Sequence, residues 1–220
     1  MDIWYSTLKG IARIYSTFVI DGIHVSGLEQ IPEGPKIIAA NHPNTTNALL
    51  LPLIFPDRQY FMISSQAFLF PLWGWFLKRC RHIPVAPGDG KKALSTAAEK
   101  ITQGDSVVIL PEGQTPPPGQ NRKGGTGAIR LALSTRAPIV PVGFYIPRAS
   151  VKTLRITGKR GSGEGYFQIG GQCSIQVGPP WFPATELTGE LNGAAIRALT
   201  DRLMDYIRAL AAQAAAGRPA

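Results

Sequence analysis

An apolar run passes directly into a polar loop in the segment KIIAANHPNTTN, residues 36–47. The run KIIAA has the length and apolar character of a buried strand. In an open α/β sheet, binding and catalytic groups collect in the loops that follow the carboxyl ends of strands. Pro43 restricts His42 to an extended backbone, and Asn44 can cap a helix that begins just after it. His42 is therefore predicted to face the first turn of that helix, where Asn47 lies.

The rest of the chain alternates short apolar runs with helical segments. Strands are predicted at Lys36–Ala40, Tyr60–Ser64, His82–Val85, Ser106–Leu110 and Ile139–Tyr145, and helices near 45–55, 66–78, 90–103 and 125–135. This alternation predicts a single α/β domain with a mostly parallel central sheet flanked by helices. Further on, Tyr166–Gly170 and Cys173–Gly178 are predicted to pair through a turn at Gly170-Gly171, and residues 189–215 to form a helix.

An amphipathic N-terminal helix is predicted within residues 1–25, ahead of a main domain over residues 26–220. Its apolar stripe consists of Trp4, Leu8, Ile11, Tyr15, Phe18 and Val19. The stripe could pack on the domain or contact a membrane, because amphipathicity alone does not separate the two. The run AFLFPLWGWFL, residues 67–77, leaves a similar choice between a core helix and an acyl-chain groove or membrane-dipping surface.

Composition and charge narrow the classes of partner. The 220 residues carry a net charge of +9 with a pI near 9.8, which suits an anionic partner. The basic residues are scattered, and no zinc finger or basic helix is apparent, so a membrane surface is favoured over nucleic acid. No apolar stretch of about 18 residues and no signal-peptide pattern occurs. Cys80 and Cys173 lack metal-ligand spacing and are predicted to be buried thiols in a reducing cytoplasm, with no metal site.

Two further segments lie where strands are predicted to end. Leu110-Pro111-Glu112-Gly113 closes the run SVVIL, and residues 137–143 read APIVPVG. Together with the N-H-P loop, this series resembles the motifs N-H-x4-D, P-E-G-T-R and P-I-V-P-V of lysophosphatidic acid and glycerol-3-phosphate acyltransferases. The resemblance covers residues 35–143 in matching order and spacing. Lys123-Gly124-Gly125 is similar to the "K-x-G" helix start of the same family.

The resemblance implies a reaction and a set of site residues. His42 would be the general base that deprotonates a hydroxyl of a lysophosphatidate-like acceptor, and residue 47 would orient its ring. The hydroxyl would attack the thioester of acyl-CoA or acyl-carrier protein, which is a co-substrate, so no cofactor is expected. Implied substrate-binding residues are Asn41, Glu112, Gly113 and Lys123. The protein would act peripherally on the cytoplasmic face of a membrane, without a nucleic-acid partner.

The chain departs from the family pattern at three places. Asn47 replaces the motif Asp, Gln114-Thr115 replaces the Thr-Arg after P-E-G, and Ala86 or Pro87 falls where an Arg is expected. Among the nearby cations, Lys123 is the predicted replacement, because its place in the pattern matches.

The amide of Asn47 carries no charge, and its NH2 group could select the wrong tautomer of His42, so restoring Asp is expected to raise transfer. A natural divergence and a deliberate inactivation would both place Asn here. The alternative function is therefore a catalytically weak or inactive lipid- or acyl-binding protein on the same fold. A hydrolase, in which His42 activates water, is a third possibility; no G-x-S-x-G serine elbow occurs.

Overall fold

A computed structural model describes residues 2–117, 120, 122–158, 161–187 and 190–217, with the backbone alone for 156–158 and 161–163. Helices in this part of the chain are α1 (Ile3–Ile14), α2 (Leu51–Ile54), α3 (Pro71–Arg79), α4 (Gly90–Thr102), α5 (Gly127–Thr135) and α6 (Gly193–Ala216). Strands are β1 (Ile23–Ser26), β2 (Ile37–Ala40), β3 (Gln59–Ser64), β4 (Ile83–Val85), β5 (Ser106–Ile109), β6 (Ile139–Tyr145), β7 (Val151–Gly158), β8 (Gly161–Gln168) and β9 (Cys173–Val177).

The central sheet has the strand order β1-β9-β6-β2-β5-β3-β4, and within it, over the described residues, only the β6–β9 pair is antiparallel. The predicted mostly parallel α/β fold is therefore confirmed. Strand β2 lies between β5 and β6, with Ile37 opposite both Val107 and Ile139. Because the three strands run in the same direction, the loops that follow them meet at one edge of the sheet.

Two hydrophobic clusters cover the two faces of the sheet. One face packs on α4, α5 and α6 through residues such as Ala97, Ile129 and Leu203. The other face packs on α2 and the segment after α1 through Leu51, Phe55 and Ile20, among others. All five strands predicted in the first part of the chain are present, with bounds that differ by one residue at most.

The predicted pairing of Tyr166–Gly170 with Cys173–Gly178 is wrong. Strand β8 pairs instead with β7, and β9 enters the central sheet between β1 and β6. Gly170 and Gly171 do form a turn, both with φ of 67°, but it returns the chain from the β7–β8 hairpin to the sheet. Every β9 residue except Gln176 is buried, as expected of a strand in a sheet that is covered on both faces, whereas an antiparallel hairpin commonly leaves one face to solvent.

Several predicted helices are shorter or divided. The segment near 45–55 is a 3-10 turn at Asn47–Leu50 followed by α2, and the segment near 66–78 is a 3-10 turn at Ser65–Leu69 followed by α3. Phe70 is extended because Pro71 follows it. The C-terminal helix begins at Gly193, after the Asn192 side chain caps it; residue 189 lies outside the described residues.

The N-terminal helix packs on the domain through the first part of the predicted stripe, including Leu8 and Tyr15, whereas Phe18 and Val19 at its end are exposed. Tyr5 and Leu8 are buried against Phe76 and Cys80. A π-helical turn at Tyr15–Val19 follows α1 and shifts the helical phase, so Phe18 is 80% exposed. None of the described helices combines the length and the apolar character needed to span a bilayer. The division into residues 1–25 and 26–220 stays a prediction.

The run at residues 67–77 is divided between core and surface. Phe68, Phe76 and Leu77 are buried, whereas Leu72 is 86% exposed and both Trp73 and Trp75 are exposed. Packing explains one side of this segment and leaves an apolar side facing solvent. Both cysteines are buried thiols, as predicted, and burial raises the pKa of Cys80 to about 11.

Candidate active site

The loop that follows β2 is shaped by a buried asparagine. The Asn44 side-chain oxygen accepts hydrogen bonds from the backbone N–H groups of Thr46, at 3.0 Å, and Asn47, at 2.7 Å. Such bonds satisfy the free N–H groups at the start of a helical turn. The predicted cap is therefore present, and it turns the chain so that residues 42 and 47 face each other.

The ring of His42 is bonded to Asn47. The distance from His42 Nδ1 to Asn47 Oδ1 is 2.8 Å, and Asn47 Nδ2 donates to the Asn41 backbone carbonyl at 3.0 Å. A carbonyl oxygen can only accept, so the NH2 group of Asn47 must face Asn41 and its oxygen must face His42. That oxygen in turn requires a proton on Nδ1. In the neutral ring, Nε2 is therefore unprotonated and able to act as a base.

The surroundings of His42 favour the neutral ring. Burial lowers the pKa of His42 below its ordinary value, and the hydrogen bond that Nδ1 donates to Asn47 opposes that shift. Among the described residues, the hydrogen-bond partner of the ring is the Asn47 amide, and Glu112 Oε1 accepts instead from the His42 backbone N–H at 3.2 Å. Glu112 therefore holds the main chain of the loop. Burial raises the pKa of the Glu112 carboxyl above its ordinary value. The hydrogen bond from the His42 N–H and the charges of Arg122 and Arg208 reduce this rise.

Asn41 joins the site to the neighbouring strand. Its Oδ1 accepts from the Phe144 N–H at 2.7 Å, and its Nδ2 donates to the Phe144 carbonyl at 2.9 Å. The side chain thereby satisfies backbone groups of β6 just beyond the β2 ladder. Asn41 directly follows β2 and is hydrogen-bonded to β6, so the Asn41 carbonyl that orients Asn47 is held in place by both strands.

Two other contacts hold the same loop from the outside. Thr45 N donates to the Tyr166 carbonyl at 2.6 Å, and Tyr166 N donates to Thr45 Oγ1 at 3.1 Å. The Tyr15 hydroxyl lies 2.7 Å from Thr46 Oγ1 and donates to the Gln168 carbonyl at 2.9 Å. The β8 strand and the π-helical turn therefore both fix the position of the His42 loop.

A cavity of about 370 Å³ opens beside this loop. Its lining includes Asn41, Pro43, Glu112, Pro116, Arg122, Ile146, Arg148, Val151, Met204, Ile207, Arg208 and Ala211. Glu112 and the His42 loop thus share one edge of the sheet, as the sequence predicts. Gly113 is exposed in the turn after Glu112, with φ of 71°.

Lys123, the predicted replacement cation, is exposed and does not belong to the lining. Over the part of the chain that the structure describes, the cations that line the cavity are Arg122, Arg148 and Arg208. Sequence reasoning missed the last two because nothing near them matches a motif. Among the described residues, no cluster of His, Cys, Asp or Glu could hold a metal ion.

Comparisons with known proteins agree with this architecture. The sequence model of the family described as Acyltransferase matches residues 22–145, more than half of the chain. The chain is 32% identical over 146 residues to a 1-acyl-sn-glycerol-3-phosphate acyltransferase of Pseudomonas aeruginosa, covering 62% of this chain and 56% of that one. It is 28% identical over 107 residues to a lyso-ornithine lipid O-acyltransferase of the same organism, covering 48% and 40%. The matches span about half the length of these curated relatives.

A solved structure shares the fold. The crystal structure of the 1-acyl-sn-glycerophosphate (LPA) acyltransferase PlsC from Thermotoga maritima superposes with a TM-score of 0.69. The match covers 98% of this chain and 81% of that one, at 18% sequence identity.

Proposed function

Since this chain belongs to the acyltransferase family, we propose that it transfers a fatty acyl group from a thioester to a hydroxyl of a lysophosphatidate-like acceptor. The donor would be acyl-CoA or acyl-carrier protein. The observation that carries the proposal is the His42 ring, whose Nδ1 is bonded to Asn47 and whose Nε2 is left as a base. The Pseudomonas aeruginosa relative supports the acceptor class, because its name gives a 1-acyl-sn-glycerol 3-phosphate.

The proposed reaction needs one base and no enzyme nucleophile. His42 Nε2 takes the proton of the acceptor hydroxyl as the oxygen attacks the thioester carbonyl. A carbon–oxygen bond forms and the carbon–sulfur bond breaks. The proton on Nε2 then passes to the leaving thiolate, so the ring ends neutral as it began. Throughout, Asn47 Oδ1 accepts from Nδ1–H and keeps the ring in one orientation.

The site would stabilise the imidazolium form of His42 less than a site with a carboxylate partner would. A neutral amide orients the ring but does not offset the positive charge that it gains. In the proposed enzyme, Asn47 therefore contributes to catalysis more by orienting the His42 ring than by stabilising its positive charge. The same geometry would also serve the alternative, an acyl-binding protein with little turnover, and the two differ only in rate.

We further propose that the protein works peripherally at a membrane, on its cytoplasmic face. Apolar side chains stand exposed on α1, on the π-helical turn and on α3, including Ile14, Phe18, Leu72 and Trp73. Helices α1 and α3 contact each other, since the Trp4 and Trp75 rings lie 5.0 Å apart, and the π-helical turn directly follows α1. Aromatic rings of this kind favour the headgroup region, and the net charge of +9 favours anionic lipid.

The test is thiol release with and without an acceptor. We expect release from acyl-CoA or acyl-carrier protein only when a lysophosphatidate is present, and no release by His42→Ala. Release without any acceptor would indicate a hydrolase. Binding of the acyl donor without release, in either condition, would indicate the acyl-binding protein. Glycerol 3-phosphate and a lyso-ornithine lipid serve as comparison acceptors.

A further inference from the structure

We propose that Arg122, Arg148 and Arg208 together bind a phosphate group in the cavity beside His42. The proposal rests on the proposed function only for the identity of the molecule that carries the phosphate. The shared chemistry is a phosphate monoester or diester. Its source is either the acceptor headgroup or the phosphates of the thioester carrier.

The three arginines come from separate parts of the fold and converge on one cavity. Arg122 lies in the loop after β5, Arg148 begins the 3-10 turn Arg148–Ser150 after β6, and Arg208 lies on α6. The same cavity is lined by Asn41 and Glu112, which hold the His42 loop in place. A group bound by the arginines would therefore lie next to the proposed base.

The position of α6 explains how Arg208 reaches this edge of the sheet. A Cβ atom at Gly143 would lie 2.1 Å from the Ala211 backbone nitrogen, so the helix contacts the strand main chain at this glycine. Met204, Ile207, Arg208 and Ala211 all line the cavity. Their spacing of three, four and seven residues places them on one face of the helix. The face that packs near β6 thus also presents Arg208.

The charges in the cavity match a phosphate. Three of the described residues that line it are arginines and Glu112 alone is acidic, so the lining is cationic. A phosphate monoester carries about −1.5 to −2 at neutral pH. The guanidinium fork donates paired hydrogen bonds to phosphate oxygens, which a lysine cannot do.

The present partners of two of these arginines are exposed and exchangeable. Arg208 pairs with Asp205, whose side chain is 69% exposed, and Arg122 donates to the exposed Gln114 at 3.1 Å. Such exposed contacts contribute little to stability, so a phosphate can replace them. We infer that the anionic group is held from the α6 side of the cavity.

The experiment measures phosphate binding separately from turnover. The full chain carrying His42→Ala is titrated with inorganic phosphate and with glycerol 3-phosphate by calorimetry. Arg148→Gln and Arg208→Gln are each expected to weaken binding roughly tenfold, and the double variant more, as expected for charged hydrogen bonds. Arg202→Gln is the matched control, because Arg202 is exposed on the same helix, outside the lining, and is expected to bind normally.

Kinetics with an active His42 then identify the source of the phosphate. A KM for the acceptor that rises at least tenfold, with the donor KM unchanged, assigns the site to the acceptor headgroup. The reverse pattern assigns it to the thioester carrier. Phosphate binding by the double variant within twofold of the parent would overturn the inference, as would equal weakening by Arg202→Gln. Because binding is measured without turnover, a loss that depends on the arginines supports the site even if no acyl transfer occurs.

Discussion

Asn47 donates its side-chain amide to the backbone carbonyl of Asn41 at 3.0 Å, and this bond determines which atom of Asn47 faces His42. In the serine-protease triad, exchange of Asp for Asn costs about 10⁴ in turnover because the amide selects the wrong tautomer. Here the amide oxygen already faces Nδ1 at 2.8 Å. The tautomer penalty therefore does not apply to this site. The site differs from one with Asp in the missing negative charge and in the hydrogen bond that the amide donates to Asn41.

The first prediction follows for Asn47→Asp. The carboxylate would stabilise the imidazolium, but its second oxygen would face the Asn41 carbonyl oxygen where an N–H now donates. We expect these effects to offset each other in part, so the rate at pH 8 should rise by about tenfold at most, the equivalent of roughly 1.4 kcal/mol. Initial rates of thiol release measure it, with His42→Ala inactive in both backgrounds. A gain near 10⁴ would show that the amide had been selecting the wrong tautomer.

The second prediction concerns the pH dependence of the same pair of proteins. The base must be neutral, so activity falls as the pH drops through the pKa of His42. Burial holds that pKa below its ordinary value of about 6.5, and the acid limb of the original chain should therefore lie below pH 6.5. A carboxylate at residue 47 should move the limb upward by about one pH unit or more. Profiles of kcat/KM from pH 4.5 to 9 measure the shift, and coincident acid limbs would contradict it.

Local patterns predicted the fold and the His42–Asn47 pairing well. The strand KIIAA, the proline after His42 and the Asn44 cap are signals within 12 residues, and the structure contains all three features. The direction of the Asn47 amide depends instead on the Asn41 carbonyl, whose placement requires the folded loop. The side-chain bonds of Asn41 to Phe144 join positions 103 residues apart, and no local pattern reports such a contact.

The α6 wall of the cavity was beyond sequence reasoning for the same reason. Arg208 lies in an ordinary amphipathic helix, and only the close contact of that helix with Gly143 brings it to the site. The pairing error at β8 and β9 has a related cause. Two adjacent strands with a glycine turn favour a hairpin locally, whereas β9 pairs with β1 and β6, which are distant in the sequence.

Gly143→Ala is the third prediction. The added methyl would overlap the α6 main chain at Leu210 and Ala211, and backbone atoms cannot move aside without shifting the helix. We expect the free energy of unfolding to fall by about 1–3 kcal/mol or more, the usual result of overpacking. Gly10→Ala is the control, because no atom lies within 4 Å of its added methyl and the substitution favours the α1 helix. Urea denaturation of both variants measures the difference, and equal stability would contradict the close contact.

The fourth prediction concerns stability in mild acid. His82 is buried, its Nδ1 accepts from the Phe61 N–H at 3.3 Å, and burial lowers its pKa to about 4. In the unfolded chain His82 is protonated as the pH falls below about 6.5, whereas in the folded chain it is protonated only below about pH 4. Stability from this group is therefore present above pH 6.5 and is lost as the pH falls towards 4.

At pH 5 the loss should be roughly 2 kcal/mol relative to pH 7.5. His82→Gln removes the titrating ring while keeping an acceptor, so it should be less stable at neutral pH but lose less on acidification. Urea denaturation at the two pH values measures this. An equal loss in the variant would assign the acid sensitivity to other groups, of which His42 is the first to test.

The last prediction concerns the exposed apolar side chains on the α1 and α3 side of the molecule. Phe18 and Leu72 are among the most exposed large apolar residues described, at 80% and 86%. If they enter the headgroup region, the double variant Phe18→Gln, Leu72→Gln should co-sediment roughly tenfold less, or lower still, with vesicles that contain phosphatidylserine. The reason is that each substitution removes an apolar side chain that would be buried in the lipid. Leu191→Gln is the control, since Leu191 is 57% exposed and lies two residues before α6, which packs on the other face of the sheet from α2 and the segment after α1. Binding of the unaltered chain should also fall between 50 mM and 500 mM salt, because the attraction of its positive charge to anionic lipid is screened over about 10 Å at 0.1 M. Equal sedimentation of the double variant and the control would exclude this face as the contact. Binding that is the same on neutral and anionic vesicles would remove the electrostatic part alone and leave the apolar contact intact.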